Sequence, residues 1–179
     1  MASTLAAAAQ TAHSIATSIL GRAQIQPGAA IPASADLKEN AADATIQLDL
    51  TGKNIIIGVP GAFTGTCSRQ IPPYIKAYDE FKAKGVNNIY VIAVNDVFVT
   101  QAWKENLAPQ GTKVQFIADD KAAFTGSIGL LFDASARLGG PRSKRYAIVV
   151  DDGKVGSIAV EEVPSDLKVT DATTILALL

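Results

Sequence analysis

NIIIGVPGAFTGTCS, residues 54–68, is the stretch that organises the rest of the chain. Its first six residues form a short, mostly β-branched apolar run that Pro60 ends, a pattern typical of a buried strand followed by a turn. Threonine and serine residues that can cap a helix come next, and apolar residues then recur at helical spacing. The only cysteine of the chain, Cys67, is therefore predicted to lie where a helix begins.

The predicted position of Cys67 favours a reactive thiol. The first turn of a helix has backbone N–H groups without intrahelical acceptors and the positive end of the helix dipole, which stabilise a thiolate. Thr64 precedes the cysteine by three residues, so its hydroxyl can face the sulfur if the turn curls back. Pro60 fixes the direction of the chain as it leaves the strand. The alternative is a small buried cysteine without chemistry. A strand-to-helix loop is the better setting for an accessible, reactive thiol, so it favours the first interpretation.

The segment PGAFTGTCS, residues 60–68, resembles the active-site signature of the peroxiredoxins, in which Pro, Thr and Cys recur as P-x-x-x-T-x-x-C. Its residues are similar to those of the same segment in the atypical type II, or peroxiredoxin-5-like, branch, which includes fungal alkyl hydroperoxide reductases. The resemblance covers roughly residues 25 to 179 and is more specific than any single motif. Further matching segments follow in family order: Ala93–Asp96, Ala102–Trp103, Phe124–Thr125, Ser127–Gly129 and Lys144–Ala147.

The resemblance implies a thiol-dependent peroxidase that reduces hydrogen peroxide and alkyl hydroperoxides. Cys67 is the implied nucleophile and becomes a sulfenic acid, the first and reversible stage of thiol oxidation. The Thr64 hydroxyl and the backbone amides from Gly65 to Cys67, including that of Thr66, are candidates to hold the peroxide oxygens. Pro60 is expected to shield the loop from bulk water.

Arg145 is the implied cation beside the sulfur. An ordinary cysteine is only a few per cent thiolate at pH 7, so the reaction needs a nearby positive charge. By resemblance, Arg145 corresponds to the family's arginine, and it stands at the head of an apolar strand, where its permanently charged fork can lean over the end of the sheet. The alternative is a solvated arginine at a strand edge. Arg69, Arg142 and Lys144 are expected to be ordinary surface residues.

The chain departs from many relatives in having no second cysteine to resolve the oxidised one. The resemblance therefore implies that an external thiol, such as glutathione, thioredoxin or glutaredoxin, recycles Cys67. A homodimer formed through the face near the active site is also implied, and Phe98 and Trp103 are expected either to line that contact or to belong to the core. The absence of C-x-x-C argues against a thiol transferase. The alternative from another class is a non-catalytic thioredoxin-fold binding or holdase protein.

Composition limits the other possibilities. The chain has 179 residues, of which 48% are hydrophobic, and this suffices for one well-buried domain. A net charge of -1 gives no electrostatic footprint for nucleic acid or for an anionic membrane. One cysteine and one histidine form no metal-binding cluster, and no nucleotide-binding glycine motif is present, so we expect neither a metal nor a cofactor. No stretch approaches the roughly 20 apolar residues that span a bilayer.

Two segments are predicted, residues 1–26 as an N-terminal helical extension and residues 27–179 as a thioredoxin-like peroxiredoxin domain. The extension is rich in Ala, Ser and Thr, has no acidic residue, and has only Arg22 and His13 as basic or titratable groups. It is either a mitochondrial targeting segment or a helix that packs on the body or on a partner subunit. A single cysteine fits a reducing compartment, so we expect a cytoplasmic protein, with a mitochondrial location as the alternative.

The order of predicted elements indicates an α/β protein. Apolar runs predict an edge strand over 45–50, buried strands over 54–59, 88–94 and 114–118, and a hairpin over 146–160, with helices between the strands and after the hairpin. Pro72 and Pro73 are expected to kink or restart the cysteine helix, so that the Cys67 turn can unwind cheaply. The alternation predicts a thioredoxin-like fold, with a central mixed β-sheet flanked by helices.

Overall fold

The structure is a computed structural model that describes residues 22–33 and 36–179. The strands are β1 (Lys53–Val59), β2 (Val86–Ala93), β3 (Gln115–Ala118), β4 (Leu131–Asp133), β5 (Pro141–Ser143), β6 (Tyr146–Asp151) and β7 (Lys154–Val160). The helices are α1 (Gly65–Lys76), α2 (Tyr78–Ala83), α3 (Val97–Leu107), α4 (Ala123–Ser127), α5 (Ser135–Leu138) and α6 (Ala172–Ala177).

Five strands form one mixed sheet in the order β3-β2-β1-β6-β7, and β4 and β5 form a separate antiparallel pair. β1 runs parallel to β2 and antiparallel to β6, and β2 runs parallel to β3. The predicted hairpin joins β6 to β7 through Asp152 and Gly153, both at positive φ, which is the backbone conformation that a tight turn between twisted strands requires. The predicted mixed α/β sheet flanked by helices is confirmed.

The central strand β1 has both faces buried because its side chains alternate between two apolar clusters. Ile55, Ile57 and Val59 pack with α1, α3 and the C-terminal helix, whereas Ile56 packs on the opposite face beside Phe124 of α4. A continuous apolar run is what a strand covered on both faces needs. β1 is therefore the central strand of the sheet. The residues that follow it lead into α1 at the end of the sheet.

The cysteine helix does not restart at Pro72 and Pro73, which was one of the two predicted outcomes. α1 continues through Pro72 and Pro73 to Lys76, and the chain restarts only at Ala77, which precedes the short helix α2. The two prolines remove the N–H groups that would bond the carbonyls of Ser68 and Arg69. Those residues lie on a half-exposed and an exposed part of the helix, where solvent can supply the missing hydrogen bonds.

Other sequence predictions require correction. Residues 45–50 form no strand. Ile46, Leu48 and Leu50 pack on the second apolar cluster, but the only ladder contact in this stretch is the bridge between Leu37 and Ile46. The alternation of apolar and polar residues reflects side chains that point alternately into the apolar cluster and away from it, and an extended segment can do this without pairing with another strand. Sequence reasoning also missed the pair β4 and β5 and the single turn of α5.

The predicted extension over residues 1–26, with His13, lies almost wholly outside the described residues. Its last five residues, 22–26, are not helical. The N–H of Ile25 donates to the carbonyl of Ile128 at 2.9 Å, so this part of the chain runs along the body of the protein. Gly129 is at φ +67°, and a Cβ there would lie 2.1 Å from the carbonyl oxygen of Ala23, so the contact requires a glycine.

Candidate active site

Cys67 lies in the first turn of α1, two residues after the helix begins at Gly65, and its side chain is 0% exposed. The first intrahelical hydrogen bond at this end runs from the Ser68 N–H to the Thr64 carbonyl at 2.9 Å. The three preceding amides, of Gly65, Thr66 and Cys67, therefore have no acceptor within the helix. The predicted helix start is confirmed, and the sulfur lies beside the positive end of the helix dipole.

Arg145 lies beside the sulfur. It precedes β6, is 1% exposed, and its Nη2 lies 3.4 Å from Cys67 Sγ. This burial contradicts the alternative of a solvated arginine. Within the part of the chain that the structure describes, no carboxylate lies within ion-pair distance of this guanidinium. A buried cation without an anionic partner is costly, and among the described residues Cys67 is the one ionisable side chain to which this guanidinium donates.

Neutral oxygen atoms hold the rest of the guanidinium. Arg145 Nε and Nη2 donate to the Pro164 carbonyl at 3.1 and 2.8 Å, and Nη1 donates to Gln70 Oε1 at 2.6 Å. The amide nitrogen of Gln70 donates in turn to the carbonyl and the hydroxyl oxygen of Thr170, at 3.0 and 3.1 Å. These contacts fix the plane of the fork while leaving Nη2 directed at the sulfur.

Pro164 and Thr170 belong to the segment between β7 and α6, which we call the 161–170 loop. Its first residue, Glu161, is buried, and Oε1 accepts hydrogen bonds from the N–H groups of Lys168, Val169 and Thr170 and from the Thr170 hydroxyl. Burial by itself raises the pKa of Glu161, but the hydrogen bonds from Val169, Lys168 and Thr170 together outweigh it, so that the pKa is lower than usual. The carboxylate is therefore stable in its charged form.

The loop before the cysteine is fixed by short contacts. Pro60 is buried, and the Thr64 hydroxyl donates to the Gly61 carbonyl at 3.0 Å, which leaves its lone pairs as acceptors. The Ala62 N–H donates to Asn95 Oδ1 at 3.0 Å. Phe63 has φ 61°, an unfavourable conformation for a residue other than glycine, and strain of this kind occurs preferentially at functional sites.

A cavity of about 410 Å³ opens beside these residues. Pro60, Thr64, Gly65, Thr66 and Arg145 line it, so all predicted site residues except the buried sulfur border the same space. The remaining lining is mostly apolar and comes from the β4–α5 region and the 161–170 loop: Phe132, Asp133, Ala134, Ala136, Arg137, Leu138, Val163, Pro164 and Ser165. The arrangement places a guanidinium and hydrogen-bond groups at the wall of a mostly apolar pocket, and the Cys67 sulfur lies buried next to that guanidinium.

Several contributors to the site were not predicted. Gln70 follows Cys67 by three residues, one helical turn, and this spacing would have placed it on the same side of the helix. Glu161 and Thr170 carry no local signal, because their contacts depend on how the loop folds. Trp103 is a core residue that donates from Nε1 to Ser68 Oγ at 3.1 Å, whereas Phe98 is 73% exposed.

Within residues 22–33 and 36–179, no three His, Cys, Asp or Glu side chains lie close enough together to hold a metal ion. Over the same residues, no helix combines the length and the apolar character needed to cross a membrane.

Comparison with known proteins gives a family. The model of the Redoxin family matches residues 26–176. The chain is 46% identical to peroxisomal membrane associated protein 20 of Schizosaccharomyces pombe over 144 residues, which are 80% of this chain and 92% of that protein. It is also 46% identical to the mitochondrial peroxiredoxin-2F of Arabidopsis thaliana over 127 residues, 70% of this chain and 63% of that protein.

Solved structures agree. The reduced Prx3 of Vibrio vulnificus, crystallised in complex with hydrogen peroxide, superposes with a TM-score of 0.77 at 38% identity, over 87% of this chain and 100% of that chain. Peroxiredoxin 5 of Alvinella pompejana superposes with a TM-score of 0.76 at 34% identity, over 86% of this chain and 96% of that chain. The chain therefore belongs to the Redoxin family, and within it this protein with one cysteine is an atypical type II peroxiredoxin, a thiol-dependent peroxidase.

Proposed function

We propose that Cys67 is the peroxidatic nucleophile, that Arg145 stabilises its thiolate and the charge that develops on the peroxide, and that Thr64 and the first-turn amides hold the peroxide oxygens. One observation supports this most. A buried guanidinium has its Nη2 3.4 Å from the only cysteine, and no described carboxylate pairs with it. Because arginine stays charged, the thiolate is the anion that completes this site.

The Cys67 thiolate attacks the terminal oxygen of the hydroperoxide, an S–O bond forms, and the O–O bond breaks. The sulfur loses two electrons and becomes a sulfenic acid, and the alkoxide or hydroxide that leaves takes up a proton and departs as alcohol or water. Arg145 Nη2 is positioned to donate to the oxygens as negative charge passes to the leaving atom.

Thr64, Gly65, Thr66 and Pro60 take supporting roles in this proposal. The Thr64 hydroxyl donates to Gly61, so its free lone pairs are available to accept from the hydroperoxide O–H. The amides of Gly65 and Thr66 have no acceptor within the helix and border the cavity, which suits them to donate to the peroxide oxygens. Pro60 has no N–H and is buried, so it keeps water from the loop.

Recycling requires a thiol from another molecule, because the chain has one cysteine. The sulfenic acid condenses with the external thiol to form a mixed disulfide and water, and a second thiol reduces that disulfide. Glutathione, thioredoxin and glutaredoxin are the candidate reductants. The sulfur is fully buried, so the first turn of α1 must open for the second molecule to reach it.

The cavity supports a substrate larger than hydrogen peroxide. Its volume of about 410 Å³ and the apolar side chains of Phe132, Leu138 and Val163 suit an alkyl chain attached to the hydroperoxide. We therefore propose that alkyl hydroperoxides are reduced as well as hydrogen peroxide.

We also propose that the protein forms a homodimer through the face near the active site. Phe63, in the loop between β1 and α1, and Phe98, in the first turn of α3, are 53% and 73% exposed, and the hydrogen bond from the Ala62 N–H to Asn95 Oδ1 joins the segments that precede them. Two exposed aromatic side chains at one end of the sheet are typical of a surface that another molecule covers.

For the compartment we propose the cytoplasm. The mitochondrion is the alternative, which the acid-free N-terminal segment and the mitochondrial relative support.

The test is a stopped-flow reaction of the reduced protein with one equivalent of hydrogen peroxide and then of tert-butyl hydroperoxide, with a sulfenate trap read at Cys67. We expect rapid oxidation that saturates at one equivalent, and no trapping in Cys67→Ser. Reaction no faster than that of free cysteine would contradict a peroxidase and favour a non-catalytic binding or holdase protein.

A further inference from the structure

The 161–170 loop is closed on itself by one side chain. Glu161 lies at its start, and its Oε1 accepts the N–H groups of Lys168, Val169 and Thr170 at 2.8, 2.8 and 3.0 Å, and the Thr170 hydroxyl at 2.9 Å. The backbone N–H of Glu161 donates to the Arg145 carbonyl at 3.0 Å, which fixes the start of the loop to the strand that follows the arginine. One buried carboxylate thus joins both ends of the loop.

The closed loop contacts a single face of α1. Thr66 Oγ1 donates to the Ser165 carbonyl at 3.3 Å, and Tyr74 Oη donates to the Thr170 carbonyl at 2.8 Å. Gln70, which lies between them, donates to the same Thr170 carbonyl. Thr66, Gln70 and Tyr74 are spaced by four residues, so they form one stripe on the helix. The loop therefore holds the cysteine helix along two turns.

The loop also supplies the anchors of Arg145. The Pro164 carbonyl accepts two of its hydrogen bonds, and Thr170 holds Gln70, which accepts a third. Without the Glu161 hydrogen bonds, Lys168–Thr170 lose the contacts that hold them. Thr170 then no longer fixes Gln70, and the loop that carries the Pro164 carbonyl is no longer closed. A guanidinium on a four-bond chain then samples other directions, and its contact with Cys67 lengthens.

We propose that Glu161 is a positioning residue of the peroxidase reaction, which acts on Arg145 through the hydrogen bonds that close the 161–170 loop. Glu161 does not line the cavity, and its side-chain hydrogen bonds go to Lys168, Val169 and Thr170 rather than to Cys67. The proposal rests on the role of Arg145 given above.

The test compares Glu161→Ala and Glu161→Gln with Asp119→Ala as the matched control. Asp119 is likewise a buried carboxylate that accepts backbone N–H groups, but its bonds go to Phe124 and Thr125 of α4. Glu161→Gln keeps a carbonyl acceptor at the same place, so its rate of Cys67 oxidation stays within about 3-fold of wild type. In Glu161→Ala we expect that rate to fall by about 10- to 100-fold, as misplaced catalytic groups do.

A second readout separates positioning from a general loss of structure. In Glu161→Ala the pH at which Cys67 becomes half-reactive toward iodoacetamide is expected to rise, whereas in Asp119→Ala it stays at the wild-type value even if unfolding is easier. If Glu161→Ala does not fold, Thr170→Val provides the test, since it keeps the loop backbone and removes only the hydroxyl that links Glu161 to Gln70. That variant is expected to lower the rate by about 3- to 10-fold.

Wild-type rates and an unchanged pH profile in Glu161→Ala or Thr170→Val would overturn the proposal. So would a Glu161→Gln rate as low as that of Glu161→Ala, because the acceptor would then not be what matters. Arg145→Ala, measured in parallel, distinguishes a failure of the role proposed for Glu161 from a failure of the role proposed for Arg145. An unchanged rate there overturns the role of Arg145 and this proposal together, whereas a large loss there with normal Glu161 variants overturns this proposal alone.

Discussion

Two buried ionisable side chains, Arg145 and Asp119, lie on opposite faces of the sheet. They differ in how the protein accommodates an ionisable group away from water. Both are at most 1% exposed, and within the described residues neither has an oppositely charged side chain within ion-pair distance. Arg145 is surrounded by neutral oxygens and the sulfur of Cys67. Asp119 accepts the N–H groups of Phe124 and Thr125 at 3.1 and 2.7 Å.

The difference follows from what each group can do when charge is costly. A carboxylate in a poorly solvated site can take up a proton, and burial does raise the pKa of Asp119, although hydrogen bonds from Thr125, Phe124 and Ala123 oppose the shift. An arginine has no such option, and we propose that the Cys67 thiolate balances its charge. Protonation can therefore remove the buried charge of Asp119, whereas Arg145 keeps its charge beside Cys67.

The largest effect expected from this comparison is on the rate of Cys67 oxidation in arginine variants. Arg145→Ala is expected to lower the second-order rate constant for hydrogen peroxide by about 10²- to 10³-fold, the cost of losing a preorganised donor to developing charge. Arg145→Lys keeps the charge but loses the planar fork that binds Pro164 and Gln70, so its rate is expected to lie between those of wild type and Arg145→Ala. Stopped-flow fluorescence with reduced protein measures both.

Asp119→Asn is the control for the arginine variants, because it also removes a buried ionisable group. Its oxidation rate is expected to stay within about 2-fold of wild type, since no hydrogen bond connects Asp119 to the Arg145 contacts described above. Equal losses in the Asp119 and Arg145 variants would mean that both act through stability, and the contrast between the two groups would be wrong.

The residues of this contrast show what the sequence could and could not provide. Cys67 at a helix start followed from the apolar strand, the Pro-Gly turn and the cap residues, all of which are local signals. Arg145 came from the resemblance, and only the structure shows its burial and the 3.4 Å contact. The adjacent pair Asp119 and Asp120 gives, by its sequence, only the signal of helix-capping or solvent-exposed carboxylates. Asp119 does bond the first turn of α4, but it is fully buried, whereas Asp120 pairs with Lys38 at 2.7 Å.

For the fold as a whole, elements with a periodic apolar pattern were predicted and those fixed by tertiary contacts were not. β1, β2, β3 and the hairpin correspond to the predicted runs, and a helix follows the hairpin as predicted, with Asp171 capping α6 by accepting the N–H groups of Thr173 and Thr174. The 161–170 loop has no periodic pattern, because a single carboxylate organises it. The role of Glu161 therefore could not be derived from the sequence, whereas the spacing of Gln70 from Cys67 could have placed both on the same side of α1.

The next effect is on stability and concerns Asp119. Asp119→Ala leaves the buried N–H groups of Phe124 and Thr125 without acceptors, so the free energy of unfolding at pH 7 is expected to fall by about 2 to 4 kcal/mol. Urea denaturation followed by circular dichroism measures this. Asp171→Ala, which removes a less buried cap, is the comparison and is expected to cost about 1 kcal/mol. A smaller loss for Asp119→Ala than for Asp171→Ala would show that the Asp119 bonds barely compensate its burial.

The smallest effect is the pH dependence of stability that a raised pKa requires. Because burial raises the pKa of Asp119, the folded state holds its proton to a higher pH than the unfolded state does. The contribution of this group is fully present below the ordinary pKa of about 3.9 and is lost as the pH rises through the raised value.

Asp119→Asn cannot titrate, so the difference in unfolding free energy, wild type minus variant, isolates this effect when urea denaturation is repeated from pH 4 to pH 8. Glu161 and Asp171 have lowered pKa values and make both proteins less stable as the pH falls, but this contribution cancels in the difference. We expect the difference to fall as the pH rises and then to level off. A difference that rises with pH would mean that the amide hydrogen bonds outweigh burial, so that Asp119, like Arg145, keeps its charge inside the protein.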